Sequence, residues 1–201
     1  MGSEMCIRDR YLGDREGALG AAHESLSLAE RSENPSSIAW AKYAVGTAEL
    51  LGNPDGAILQ FGESLRLART VDNKWVVSSA LGGLATGARR SGRSEEAIQP
   101  LAAQLETWIA MRKERFFARV LNEAALVLIE LGRMEDARTM LGWAGSYTAD
   151  PMILPDDRQR VRKARSELAP PLMSEVFEIG EHARIARRLL LDATESATAS
   201  V

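Results

Sequence analysis

The chain predicts an all-α fold, an array of stacked two-helix units, and three observations carry that reading. Gly13, Gly52, Gly92 and Gly132 recur 39, 40 and 40 residues apart. Each is followed five residues later by an alanine: Ala18, Ala57, Ala97 and Ala137. Apolar residues keep helical spacing on both sides of each glycine. Self-similarity at this period marks a stack of hairpin units, because one helix pair cannot bury its apolar face alone.

Each element follows from its stripe. Ahead of the glycines, Ala41, Ala44, Val45 and Ala48, then Leu81, Leu84, Ala85 and Ala88, then Leu121, Ala124, Ala125 and Leu128 line one face of a first helix. Behind them, Ala18, Leu19, Ala22, Leu26 and Ala29 predict a second helix over 14–31. Ala57, Ile58, Phe61, Leu65 and Ala68 do the same in the next unit, and Ala97, Ile98, Leu101, Leu105 and Trp108 predict one over 94–111. The glycine between the stripes is expected to be left-handed, ending one helix and letting the chain turn into the next. Glu16, Asp55, Glu95, Glu96, Glu135 and Asp136 follow it, where they face the positive end of the second helix. Pro100 lies inside the third stripe, so it predicts either a bend or a helix start at or just before it. Ser78, Ser79, Gly82, Gly83 and Gly87 make the helix over 74–90 the weakest by propensity, and its stability must come from packing. Ser32, Asn34, Ser36, Asp72 and Asn73 fall where connecting turns need them.

Leu51-Gly52-Asn53-Pro54-Asp55-Gly56-Ala57 and Leu131-Gly132-Arg133-Met134-Glu135-Asp136-Ala137 resemble the tetratricopeptide repeat, with its helix-ending Leu-Gly, acidic turn and opening alanine. The period is longer than the 34 residues of that family, and small residues replace most first-helix aromatics. The resemblance implies a right-handed solenoid of antiparallel helix pairs whose first helices line a concave groove. Carried over, it places Ala39, Lys42, Gly46 and Glu49, then Ser79, Gly82, Thr86 and Arg89, then Arg119, Asn122, Leu126 and Ile129 on that groove. Lys42, Gly46, Gly82, Thr86, Arg89, Arg119 and Asn122 are the candidate binding residues: small at the centre, with donors around it. The expected occupant is a protein or peptide of acidic character, and the two-carboxylate clamp of chaperone-binding members is not reproduced.

Residues 11–148 therefore read as the repeat region and 149–192 as C-terminal capping helices, with 193–201 a disordered tail. Asp150 to Pro155 reads as a linker, Asp156 to Ala169 as a helix with Arg158, Arg160, Arg162, Lys163 and Arg165, and Ala183 to Asp192 as an amphipathic helix. The run from Leu168 to Glu181 with that last helix resembles the end of the helical-repeat region in LuxR-type and related bacterial signal-transduction ATPases. That resemblance implies a sensing or partner-binding region with an upstream module missing from this sequence. The opening Met1 to Arg10 resembles read-through of a transposon-end sequencing adapter and is expected to be a non-native leader carrying the single cysteine, Cys6.

Composition sets the remaining expectations. The 201 residues are 45% hydrophobic with a net charge of −3, enough for a core and without global attraction to nucleic acid. No apolar run reaches the length of a membrane span, and there is no secretory signal, so a cytoplasmic chain is expected. Catalytic motifs, metal ligands and cofactor loops are not evident. His23-Glu24 opens like a zinc-protease motif, but Ser27 stands where the second histidine belongs. The glycines at 82, 83 and 87 lack a Gly-Lys-Ser/Thr ending and read as packing glycines. The basic helix reads as a solvated face, and Ile185, Leu189 and Leu190 as a cap over the final repeat. The expected function is a non-enzymatic scaffold for protein binding or ligand sensing within a larger regulator. A free-standing adaptor or co-chaperone, or an enzyme with an unrecognised site, remain the alternatives.

Overall fold

A computed structural model describes residues 15–113, 116–145, 155–169 and 179–198. Gly13, the expected leader, the linker through Leu154, the segment 170–178 and residues 199–201 lie outside them. The described regular structure is helical: α1 (Arg15–Arg31), α2 (Pro35–Glu49), α3 (Pro54–Thr70), α4 (Lys74–Arg90), a 3₁₀ turn (Ser94–Ala97), α5 (Ile98–Ala110), α6 (Phe117–Glu130), α7 (Met134–Gly145), α8 (Pro155–Leu168) and α9 (Ile179–Thr198). The all-α expectation holds. The last helix continues through 193–198, which corrects the start of the expected tail.

The chain divides into two compact units between Gly92 and Arg93, inside the run 11–148 expected to be one continuous array and inside its third repeat. In the first unit each of α1 to α4 packs on its chain neighbour, and α2 also meets α4. The predicted stripes supply core: Ala18, Ala22, Ala44, Val45 and Ala48 make one cluster, and Ala68 makes another with Val76 and with Ala39, a residue expected on the groove. Phe61 of α3, 1% exposed, is the largest side chain at the centre. Gly46 of α2 and Gly83 of α4 face its ring so closely that an added Cβ would stand 2.8 and 2.6 Å from it. Gly87 faces Ile58 in the same way, at 2.7 Å. The α4 glycines thus trade helix propensity for close approach.

Asparagines start three of these helices. Asn34 accepts from the N–H groups of Ser36 and Ser37, Asn53 from Gly56, and Asn73 from Val76. Pro35 and Pro54 occupy the first turn, where no donor is needed. The Asn73 amide also donates to Ser36 Oγ at 2.8 Å, tying the turn before α4 to the start of α2. Buried Ser64 Oγ donates to the Ala39 carbonyl at 2.7 Å, joining α3 to α2.

The glycine rule holds only in part. Gly92 and Gly132 have φ of +74°, as the repeat requires, but Gly52 is not left-handed, and the chain there turns through Asn53 instead. A second left-handed position appears at Glu33, Asp72 and Arg112, each 20 residues beyond a repeat glycine, where one unit passes to the next. Asn73 N–H then donates back to Ala68 O, Lys113 N–H to Trp108 O and, after Gly132, Arg133 N–H to Leu128 O. These are Schellman closures, which satisfy carbonyls at the helix end.

In the second unit, Ser94 to Ala97 form a 3₁₀ turn and the α-helix starts at Ile98. Pro100 therefore sits in the first turn of α5, where its missing N–H costs little, and the start of the α-helix shifts from Ser94 to Ile98. Leu101, Leu105, Leu121, Leu128, Met140 and Leu141 are fully buried. α9 covers α5 foremost and also meets α6 and α7, so the expected cap serves the second helix of the third repeat more than the final pair. Its own Ala186 and Leu190 are buried, its Ile185 is exposed, and its Arg187 pairs with Glu106 of α5.

Candidate functional site

The candidate groove residues separate into those on the surface and those absorbed by packing. In the first unit Lys42 and Thr86 are half-buried, and the Thr86 hydroxyl donates to the Gly82 carbonyl at 3.0 Å. Gly82 is buried, and Arg89 is only 2% exposed. Ala39 is fully buried. Gly46, expected at the open centre of the groove, faces the Phe61 ring, so its small size serves helix packing and not a ligand. The reason is that α2 is covered by α1, α3 and α4 together, which leaves little of its circumference for a partner.

The second unit brings its candidates together around an occupant the sequence reading did not anticipate. Arg119 of α6 is half-buried and Asn122 is buried. Asn122 Oδ1 accepts from Arg165 Nη2 of α8 at 3.4 Å. One helical turn and more along α6, Leu126, Ile129 and Glu130 face Arg160, Lys163, Ala164, Glu167 and Leu168 of α8, with Met134 at one edge, around a cavity of about 290 Å³. Glu130 accepts from Arg160 Nη1 at 3.1 Å and from the Ser94 hydroxyl. The basic helix thus lies against the α6 face counted as groove.

α8 is built for this seat. Pro155, Asp156 and Asp157 open it, with the acids at the positive end of the helix. Val161 and Ala164 turn inward and are buried, while Arg162, Lys163 and Glu167 remain exposed. Its C-terminal end is held by α7: Arg138 Nε donates to the Leu168 carbonyl at 3.0 Å. Arg165 passes so close over Gly145 that an added Cβ there would stand 2.9 Å from Nη1. Partial burial pushes the Arg165 pKa down from its ordinary value.

Of the histidines, His23 is exposed, whereas His182 of α9 is 6% exposed and stacks on Trp143 of α7 with ring centroids 4.9 Å apart. Burial holds the His182 pKa below its usual value, with Glu181 opposing in part. Among the described residues no group of three or more His, Cys, Asp or Glu is placed to hold a metal ion. No helix among them is long and apolar enough to cross a membrane. Comparison with family models, with curated proteins and with solved structures finds no match for this chain.

Proposed function

We propose that the chain is a helical-repeat scaffold of tetratricopeptide-like type, a solenoid of antiparallel helix pairs that binds a protein or peptide as part of a bacterial signalling or transcriptional regulator. The observation that carries this reading is the contact of α2 with α4, two helices on, together with left-handed turns that recur at the repeat period. Stacked hairpins need both: first helices that touch their counterparts, and a sharp turn at each end of every helix. In the first unit the binding surface is the half-buried part of the first-helix face at Lys42 and Thr86; in the second unit, taken by itself, the half-buried Arg119 of α6 is the corresponding candidate. Arg89 and Gly46 act as structural members of that face.

The test is capture of a partner by the full-length protein, followed by affinity measurement with Lys42→Ala and Arg119→Ala. Truncating a contact at a true hot spot should cost about 1–3 kcal/mol. Unchanged affinity in both variants, with melting temperatures also unchanged, would remove the first-helix face from consideration.

A further inference from the structure

We infer that the α6 face bearing Asn122, Leu126, Ile129 and Glu130 is a seat for a basic amphipathic helix, that α8 is its resident occupant, and that a helix of the same chemistry binds by displacing α8. The inference deepens the groove reading proposed above and rests on it for its biological use. It also reverses the expected partner charge in this unit, from acidic to basic.

Three observations carry it. First, the seat's chemistry matches such a helix. Leu126 and Ile129 supply an apolar strip, and two acceptors, Asn122 Oδ1 and Glu130 Oε1, take the guanidinium groups of Arg165 and Arg160 at 3.4 and 3.1 Å. An amphipathic helix laid into a groove with charged flanks is a recurring mode of peptide recognition. Second, the fit of α8 is incomplete. A solvent-open cleft of about 290 Å³ remains between α8 and α6, with Leu126, Ile129, Met134, Ala164 and Leu168 as its apolar lining and Glu130, Arg160, Lys163 and Glu167 as its polar lining. The apolar lining of this open cleft stays in contact with water, so a helix with a larger apolar residue at the position of Ala164 would bury more of it. Third, α8 is polar: Val161 and Ala164 are its buried apolar residues, and the Arg160–Glu130 pair is half in solvent. Exposed pairs of this kind contribute little, so this pair adds little to the hold of α8 on α6, whose Val120, Leu121 and Leu128 are fully buried.

A resident helix lowers the apparent affinity of any competitor by the fraction of time it leaves the seat open. The probe is a fluorescein-labelled peptide of residues 155–169, titrated into the full chain and into the full chain carrying Arg160→Glu and Arg165→Ala. The double variant should bind the peptide at least tenfold more tightly than the parent does, and its own 155–169 amides should exchange faster while those of 117–130 do not. A charge swap tests the seat itself. Adding Glu130→Arg to the double variant should reject the parental peptide and accept one carrying Arg160→Glu. Should Glu130→Arg disturb folding through Ser94, Asn122→Leu in the double variant reads the same seat and should weaken the parental peptide. Equal binding to parent and double variant, or no saturable binding to the double variant, overturns the inference. Because the probe is synthetic, a missing cellular partner or an inert Lys42 would sink the scaffold reading and leave these outcomes untouched.

Discussion

At Gly83 and Gly62 the same residue type acts through opposite causes. At Gly83 the backbone is helical, and alanine would gain about 1 kcal/mol in propensity, but its Cβ would stand 2.6 Å from the Phe61 ring. That ring is fully buried and cannot swing away, so overpacking should win, and Gly83→Ala should lower stability by about 1–3 kcal/mol. Gly62 is also helical, with nothing within 4 Å of an added Cβ, and Gly62→Ala should raise stability by about 1 kcal/mol. Urea unfolding of both variants checks the pair; a stabilised Gly83→Ala would mean that the α2–α3–α4 packing is looser than described. His182 gives a residue-scale dependence on pH. Its pKa is lowered on folding, so the unfolded chain binds the proton more readily. The contribution is therefore full above the ordinary value near 6.5 and is lost as pH falls through it. Urea midpoints at pH 7.5 and 5.5 should differ more in the parent than in His182→Phe, which keeps a ring against Trp143. An identical pH response in the two would assign the effect to other groups.

Turns decide the elements as much as the helices do. Gly132 has φ of +74° and open space where a Cβ would go, so Gly132→Ala isolates backbone strain and should cost about 1–2 kcal/mol. Asp72 and Arg112 hold the same region with side chains, at φ of +48° and +52°. Replacing either by glycine should stabilise by a few tenths up to about 1 kcal/mol, since the strain removed exceeds the added chain entropy. Thermal melts of the three variants read these signs directly. A loss at Asp72→Gly would show that its side chain contributes more than its backbone costs. The sequence exposed one set of turns through its glycines. Of the set at 33, 72 and 112 it marked only Asp72 as a turn residue, because Glu and Arg carry no turn signature, and the backbone angles reveal that all three share the glycines' 39- and 40-residue spacing.

Across the whole molecule, burial ranks the elements by expected protection. In the second unit α6 carries Val120, Leu121, Ala124, Ala125, Val127 and Leu128, each at most 1% exposed, while α8 buries few apolar side chains beside an open cleft. Native-state hydrogen exchange should find amides of 117–130 near global protection and those of 155–168 opening at lower free energy. Equal protection would mean that α8 unfolds only with the rest of its unit.

Helix period, repeat spacing and cap chemistry were legible in the chain itself, because they depend on local geometry: apolar residues three and four apart, Asn-Pro at helix starts, glycine at a sharp turn. On those grounds the stripes at 41–48, 57–68, 81–88 and 121–128 are core, apart from the half-buried Ile58 and Leu84. Tertiary structure alone decided which faces remain open. A helix has no intrinsic inside once neighbours cover two or three sides of it, so counting offsets from a glycine could not tell that Gly46 would meet Phe61 or that Arg89 would be buried. Nor could it tell that a basic helix, solvated by composition, would set two arginines against Asn122 and Glu130. That contact joins residues 30 and 43 positions apart, a separation at which no local pattern carries information.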